Sequence, residues 1–143
     1  MPFFADADQL YAVAQQLLSR VQEEKPHSAE GITRSRLVVR LRTMGPATEF
    51  TLNGRQRPLD IIYGPAGPRP ILDIELSADT LHRILLGELP LKRAVGNGAL
   101  RVHGPVWHLV PLADLFYQGQ EIYPQVLADH GLLAGPGGAA ARA

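Results

Sequence analysis

Apolar residues recur every three or four positions over residues 6–24, and polar residues fill most of the positions between them. This spacing places the apolar residues on one face of a helix, for which Asp6 or Asp8 is a suitable N-cap. From Arg36 the period changes to two, with Leu37 and alternate residues on one side and mainly arginines on the other. Because a period of two is that of a half-buried strand, the pattern predicts a helix followed by the first strand of a sheet.

Three further strands are predicted before the next helix, at residues 48–52, 59–63 and 71–76. The dipeptide Asn53-Gly54 is a strong hairpin signal between the first two of these strands. A Gly/Pro-rich loop at residues 64–68 separates the last two. The hairpin-like connections along this part of the chain favour an antiparallel meander.

The rest of the chain alternates between helical and strand patterns. Ser77 is a suitable N-cap for a second helix, and a helical turn at residues 91–95 precedes a short fifth strand that ends at Gly104. A long helix follows at residues 106–127, with a kink expected at Pro111, where the ring removes a backbone hydrogen bond. Helices packed on one face of a mainly antiparallel five-stranded sheet make an α+β fold, and the polar face of the sheet is expected to meet water.

Composition limits the classes of function. The 143 residues suit a single domain, which we place at residues 1–133, and the Gly/Ala-rich residues 134–143 are predicted to form a disordered tail. Lys plus Arg and Asp plus Glu both number 14, so no overall positive charge favours binding of nucleic acid. The chain has no cysteine, no signal-peptide pattern and no apolar run near the ~18 residues of a membrane span, which favours a cytoplasmic location.

Residues 98–104 have the sequence GALRVHG, in which two glycines delimit a short strand. Together with the helix that begins at Ser77 and ends in a Gly-containing segment, this phrase resembles the sterol carrier protein type 2 family, over roughly residues 10–123. The resemblance implies a five-stranded sheet, helices on one side, and an elongated apolar cavity between the layers that binds fatty acyl chains, acyl-CoA or sterols. Pro105 replaces an acidic residue common in the family, and Pro111 interrupts the helix that helps to close the cavity.

Inward-facing apolar side chains are the candidates for the wall of such a cavity. The predicted ligand-binding residues are Leu17, Val39, Leu41, Phe50, Leu52, Leu72, Ile74, Leu81, Ile84, Leu85, Trp107, Leu115 and Phe116. Burial of a ligand's hydrocarbon contributes about 0.8 kcal/mol for each CH₂ group and needs no covalent chemistry. Trp107 or Phe116 would stand at the wall, and a C-terminal helix at residues 123–133 would act as a lid. The same residues also suit a close-packed core, so a protein-interaction domain without a cavity is an alternative.

Arginines are concentrated around the first predicted hairpin. They are Arg36, Arg40, Arg42, Arg55 and Arg57. One interpretation is a basic patch for a lipid head group, a phosphopantetheine carrier or an anionic membrane, with which the protein would make transient contact. The other is that Asp73 and Glu75, on a strand that the family places beside the first, pair with Arg40 and Arg42 across the sheet.

The sequence predicts no catalytic residue, no metal site and no cofactor. The spacing of His103 and His108 matches no zinc pattern, and no serine lies in a Gly-x-Ser-x-Gly motif. We therefore expect a protein that is not an enzyme and that binds or transfers a lipid or other hydrophobic small molecule. An alternative is an enzyme or accessory cyclase that acts on a hydrophobic intermediate in the same pocket, with His82, Asp79 or Tyr63 as acid or base. Otherwise we interpret His82 as a solvent-facing helix residue.

Overall fold

The computed structural model describes residues 2–132 of the chain. Within them, the helices are α1 (Ala7–Glu24), α2 (Glu30–Arg34), α3 (Ala78–Leu85), α4 (Leu91–Gly96) and α5 (Leu109–Asp129), with short 3₁₀ helices at Pro26–Ala29 and Val106–His108. The strands are β1 (Val38–Met44), β2 (Thr48–Asn53), β3 (Asp60–Tyr63), β4 (Leu72–Ser77) and β5 (Leu100–His103). The predicted tail at residues 134–143 lies outside the described residues, and the predicted domain at residues 1–133 reaches past both ends of them.

The strands form one sheet of five in the order β3-β2-β1-β4-β5. β1 is parallel to β4, and the other neighbouring pairs are antiparallel. α1 and α3 contact the strands, and α5 packs against both helices, so the predicted α+β class with a mainly antiparallel sheet is confirmed. The predicted meander is wrong, because the chain leaves β3 at one edge and enters β4 on the far side of β1. Turn residues signal a change of direction, but they do not specify which strand the next one will join.

The connection from β3 to β4, at residues 64–71, crosses the outer face of the sheet, which is the face opposite the helices. Gly67 lies so close to Thr51 that a Cβ on Gly67 would overlap the Thr51 side chain. The N–H of Ile71 donates to the carbonyl of Val38 at 2.8 Å, and both Val38 and Thr51 are fully buried. The prediction that this face meets water is therefore wrong beneath the crossover, where the loop excludes solvent.

α1 and α3 begin where their cap residues predict. The Asp6 side chain accepts a hydrogen bond from the N–H of Gln9 at 2.9 Å, and the Ser77 side chain accepts one from the N–H of Thr80 at 3.0 Å. Each bond satisfies an N–H group that the first turn of a helix leaves without a partner. The residues that α1 buries keep the predicted helical spacing: Leu10, Val13, Leu17 and Val21.

α5 is a single helix, which corrects two predictions. Pro111 lies in its first turn, where the missing N–H group has no intrahelical acceptor to lose, so the helix continues through this residue. The bounds of the lid helix predicted at residues 123–133 are also wrong, because Tyr123 is fully buried in the body of α5, which ends at Asp129; a role as a lid stays a prediction. Between α1 and β1 the chain forms a 3₁₀ helix and α2, which contact α5.

Candidate ligand-binding site

An apolar cavity lies between the helices and the inner face of the sheet. Its volume is about 80 Å³, measured as the space open to the centre of a water molecule. α1 and α5 form one side of the wall, β1 and β2 form the other, and α3 and Phe4 complete it. The wall contains no charged side chain, and Tyr123 is its one residue with a polar side-chain group. This surface is suited to hydrocarbon.

The cavity is elongated along the two long helices. Its wall includes α1 residues from Leu10 to Val21 and α5 residues from Leu112 to Tyr123. At 1.5 Å of rise for each residue, each of these stretches spans about 16 Å. A small volume distributed over that length is a narrow space rather than a round one.

Most of the predicted ligand-binding residues meet in this wall. Those that line the cavity are Leu17, Val39, Leu41, Phe50, Leu52, Leu81, Leu85, Leu115 and Phe116. Leu72, Ile74 and Ile84 are fully buried, but they pack in the core away from the cavity surface. Their apolar alternation is the same as that of the lining residues, so periodicity does not separate the two groups. Contact between the lining residues and a ligand stays a prediction.

Trp107 does not belong to the wall. It lies in the 3₁₀ helix before α5, and 69% of its surface is exposed, so its predicted place at the cavity is wrong. Trp107 lies five residues before Leu112, and at about 100° for each residue the helical period sets it about 140° away from that lining residue. The helical period therefore points Trp107 away from the cavity, and its aromatic character alone does not place it at the wall.

The sequence reasoning also omits part of the wall. The omitted residues are Phe4, Leu10, Val13, Ala14, Leu18, Val21, Leu112, Gly119 and Tyr123. Those of α1 flank Leu17 at helical spacing, so the periodic pattern was a sufficient signal for them. Phe4 precedes the first helix and Gly119 has no side chain, so no period identifies either of them.

Gly119 leaves free space on the cavity side of α5. A Cβ added there would have Leu85 Cδ2, at 3.8 Å, as its nearest neighbour outside the helix, which is an ordinary van der Waals distance. Glycine in a helix interior costs roughly 0.5–1 kcal/mol relative to alanine. The helix therefore gives up stability at a position where a larger side chain would reach into the cavity.

The polar group of Tyr123 is paired with a side chain outside the cavity wall. Its hydroxyl lies 2.7 Å from Nδ1 of His82, and burial raises the pKa of Tyr123 above its ordinary value. Burial lowers the pKa of His82 to about 4, against the opposing charge of Asp79. Both side chains are therefore uncharged at neutral pH, and the hydrogen bond between them has its donor set by the imidazole tautomer. The interpretation of His82 as a solvent-facing residue is wrong.

His82 and Asp79 also anchor the segment that precedes α1. The ring of Phe3 stacks on the His82 imidazole with 3.6 Å between centroids, and the N–H of Phe3 donates to Asp79 Oδ1 at 2.9 Å. These contacts position Phe4, which is only 1% exposed and lines the cavity. Both side chains thus have structural partners outside the wall.

The outer face carries ion pairs. Arg40 Nε donates to Asp73 at 3.2 Å, and Arg42 Nη2 donates to Asp73 at 3.1 Å and also to Glu75. Burial opposes ionisation of Asp73, but the hydrogen bonds and charges of the two arginines outweigh it and hold its pKa below the usual value. The predicted pairing across the sheet is confirmed for Arg40 and Arg42. Arg36 is not part of β1; it lies before the strand, exposed, with φ of 53°.

The candidate acid and base groups of the enzyme alternative do not meet at the cavity. Tyr63 lies on β3 with its ring against Phe50, at 5.8 Å between centroids, and burial raises its pKa to about 12. Tyr63, Asp79 and His82 are all absent from the cavity wall.

In residues 2–132 there is no group of three or more His, Asp or Glu side chains placed to hold a metal ion. In the same part of the chain, no helix has the length and apolarity needed to cross a bilayer.

A five-stranded sheet of this order, covered on one face by helices with an apolar cavity between the layers, defines a class: α+β domains of the sterol carrier protein 2 type. No protein-family model matches the sequence, and no curated protein matches it significantly. Solved structures do match. The sterol carrier protein domain 2 of Helicoverpa armigera is 17% identical, with a TM-score of 0.60 over 75% of this chain and 84% of that chain.

Two further structures extend the likeness. Sterol carrier protein 2 of Yarrowia lipolytica, in its apo form, is 19% identical, with a TM-score of 0.60 over 84% of this chain and 98% of that chain. Sterol carrier protein 2 like 2 of Aedes aegypti is 15% identical, with a TM-score of 0.51 over 74% of this chain and 94% of that chain. This chain therefore has the sterol carrier protein 2 fold, as the sequence resemblance implies.

Proposed function

We propose that the protein binds the hydrocarbon part of a lipid in the cavity between α1, α5 and the sheet, and so carries it out of contact with water. The observation that supports this most directly is a cavity wall without any charged side chain, enclosed between the two layers. The shared fold of proteins described as sterol carriers adds support. An open cavity also argues against the alternative of an interaction domain with a filled core.

The wall chemistry narrows the class of ligand. A carboxylate or a CoA phosphate would find no charged partner inside, and burial of an unpaired charge is strongly unfavourable. Such a head group would stay at the cavity mouth, with only the hydrocarbon enclosed. A narrow space of about 80 Å³ requires less wall movement for a single acyl chain than for fused rings, so we assign an acyl chain. Ten enclosed methylenes would contribute on the order of 8 kcal/mol before entropy costs.

Transfer between membranes and a cytoplasmic location belong to the same proposal. Transfer follows if the hydrocarbon is released again, which a purely apolar wall without a covalent anchor permits. The enzyme alternative has less support, because its candidate groups lie outside the wall and two of them hold the N-terminal segment. The cytoplasmic location is supported by the absence of cysteine from the sequence.

The test is a substitution that fills the cavity without disturbing the rest of the molecule. Gly119→Leu adds a helix-compatible side chain beside Leu85 at the cavity wall, and we expect it to reduce affinity for a fluorescent fatty acid at least tenfold. Native mass spectrometry of the purified protein would in parallel identify any lipid that it retains. Retention of the hydrocarbon probe by Gly119→Leu at unchanged affinity would contradict the proposal.

Two variants control for side effects. Gly96→Leu adds the same side chain at the exposed end of α4, where a Cβ has no neighbour within 4 Å, and should leave the affinity unchanged. Gly119→Ala should stabilise α5 by up to about 1 kcal/mol and lower the affinity less than leucine does. A loss of affinity equal in Gly96→Leu and Gly119→Leu would show that the effect does not arise in the cavity.

A further inference from the structure

One end of the sheet is surrounded by connections rather than by helices. Here β1 and β4 begin, and β2 and β5 end, because Val38 pairs with Asn53 and Asp73 pairs with His103. The chain segments just outside these strand ends therefore lie together. The N–H of Gly54 donates to the Leu37 carbonyl at 2.8 Å, which ties the turn after β2 to the entrance of β1.

This end, which we call the arginine end, carries an excess of positive charge. Its arginines are Arg34, Arg36, Arg55, Arg57 and Arg69, and all of them are exposed. Asp60 starts β3, and Glu30 pairs with Arg34 and His27. The last turn of α1 adds Glu23 and Glu24, since Gln22 donates to the Leu59 carbonyl, but Glu24 pairs with Arg20. All of these exposed arginines except Arg34 form no salt bridge among the described residues, which leaves a local excess of positive charge in a chain whose net charge is zero.

Exposed apolar side chains lie at the same end. Val106, Trp107 and Val110 are 52%, 69% and 74% exposed. A Cβ on Gly104 would meet the carbonyl of Ile71, which places the start of this apolar segment against the entrance of β4. Further along, Pro111 contacts α2, since a Cβ on Gly31 would lie 3.2 Å from its Cβ. The apolar segment is thus held beside the helix that carries Arg34.

We propose that the arginine end docks on the surface of an anionic lipid bilayer, with Trp107 and Val110 entering the head-group layer. The exposed arginines supply attraction to anionic lipids, and tryptophan is the residue most characteristic of the boundary between water and hydrocarbon. Arginines alone would suit any polyanion. The exposed valines beside them favour a lipid surface, because they gain nothing from contact with a soluble anion.

The position of α5 connects this surface with the cavity. Val110 faces solvent, whereas Leu112 on the next part of the same turn lines the cavity. Docking would therefore bring a cavity-lining helix to the bilayer, from which an acyl chain could be exchanged. A role of docking in lipid exchange rests on the proposed function. Docking itself does not require a lipid in the cavity.

Trp107 is the single tryptophan of the chain, so its fluorescence reports on this surface alone. Titration of the full chain with vesicles of equal parts phosphatidylserine and phosphatidylcholine should shift its emission to shorter wavelength. Pure phosphatidylcholine vesicles should give a much weaker response, and added salt should weaken binding to the anionic vesicles. An emission spectrum that the anionic vesicles leave unchanged would overturn the proposal.

Charge reversal separates this end from the rest of the surface. The double substitution Arg55→Glu and Arg57→Glu should reduce partitioning onto anionic vesicles by roughly tenfold or more. The matched control, Lys92→Glu with Arg93→Glu, reverses two exposed charges on α4, near the opposite end of β5, and should retain most of the binding. Trp107→Ala, followed by sedimentation with vesicles, should also weaken binding. Equal losses in the two charge-reversal variants would show that the arginine end is not the docking surface.

Other outcomes distinguish the alternatives. Binding to heparin without any shift of Trp107 emission on anionic vesicles would assign the arginines to a soluble polyanion and overturn the lipid assignment. Gly119→Leu should dock on vesicles like the wild type, since its change lies inside the molecule. Normal docking with no uptake of acyl chains would overturn the proposed function alone, and acyl binding without docking would overturn this inference alone.

Discussion

The two faces of the sheet both shield side chains from water, but by different chemistry. On the inner face, Ile74 and its neighbours are buried by apolar helices. On the outer face, Asp73 is shielded by arginines of the adjacent strand, and Thr51 is shielded by the loop that crosses above it. Inner-face packing depends on shape and volume, whereas outer-face packing depends on whether each polar group finds a partner.

This difference explains where the free space lies. Apolar side chains lose contact energy beside a void, but they leave no polar group unsatisfied, so an apolar cavity can stay open between the layers. The cavity is accordingly on the inner side, and its one polar side-chain group, on Tyr123, is bonded to His82. Substitutions on the two faces should therefore differ in size and in their response to pH.

The largest expected effect is a loss of packing on the inner face. Ile74→Ala removes a fully buried side chain and should lower the free energy of unfolding by about 3 kcal/mol. Asp73→Asn, one residue earlier on the outer face, should cost only about 1 kcal/mol, because Arg40 and Arg42 keep partial access to water. Urea denaturation of both variants would measure the difference. Equal losses would break the distinction between the faces.

A smaller effect is expected when the pH is lowered. The free energy of unfolding should decrease by on the order of 2 kcal/mol because of His82, the partner of the Tyr123 hydroxyl. The pKa of His82 is about 4 in the folded protein against an ordinary 6.5, so between these values the unfolded chain binds a proton that the folded protein does not. Stability should therefore fall as the pH decreases from about 6.5 to about 4. At about 1.4 kcal/mol for each pKa unit the full difference would be about 3.4 kcal/mol, and the partial exposure of His82 reduces it to on the order of 2 kcal/mol.

The variant that isolates this contribution is His82→Gln, which retains a polar group near Tyr123 but cannot take up a proton in this range. When the pH is lowered from about 6.5 to about 4, the free energy of unfolding of His82→Gln should decrease less than that of the wild type. Parallel pH profiles for the two proteins would mean that His82 is not held in its neutral form by burial.

The smallest effect is expected on the outer face. Thr51 Oγ1 is buried and has no hydrogen-bond partner among the described residues, so Thr51→Val should be neutral or stabilise the protein by up to about 1 kcal/mol. Thr43→Val, on the inner side of β1, is the control for loss of a bonded hydroxyl, since the Thr43 hydroxyl bonds to Thr48 at 2.6 Å and to the Pro46 carbonyl at 2.8 Å. It should destabilise by about 1 kcal/mol. Thermal unfolding would measure both, and a destabilised Thr51→Val would indicate that its hydroxyl has a partner after all.

Local signals predict much of this fold. The caps Asp6 and Ser77, the apolar stripe of α1 and the alternation in β1 and β4 all follow from neighbouring residues, because helices and strands have fixed periods. The pairing of Arg40 with Asp73 required one more assumption, that β1 and β4 are adjacent, and that came from the family resemblance. The strand order itself has no local signal, so the Gly/Pro-rich loop predicts a hairpin-like connection where the chain makes the crossover at residues 64–71.

The candidate site is predictable only in part. Leu17, Phe50 and Leu85 line the cavity, whereas Ile74 and Ile84, with the same apolar pattern, pack in the core. Whether an inward side chain contacts another side chain or free space depends on the residues opposite it. The local sequence pattern does not identify those residues. Trp107 shows a second limit, since an aromatic side chain near the site can point to solvent instead of to the cavity.

By itself, the sequence determined which residues of each helix and strand face an apolar layer, because that depends only on a repeat of two or 3.6 residues along the chain. Only the tertiary structure decided that β4 lies beside β1, that Gly119 leaves space opposite Leu85, and that the exposed arginines of separate turns meet at one end of the sheet. Each of these depends on which segments lie across from one another. Contacts between residues distant in sequence produce no periodic pattern along the chain.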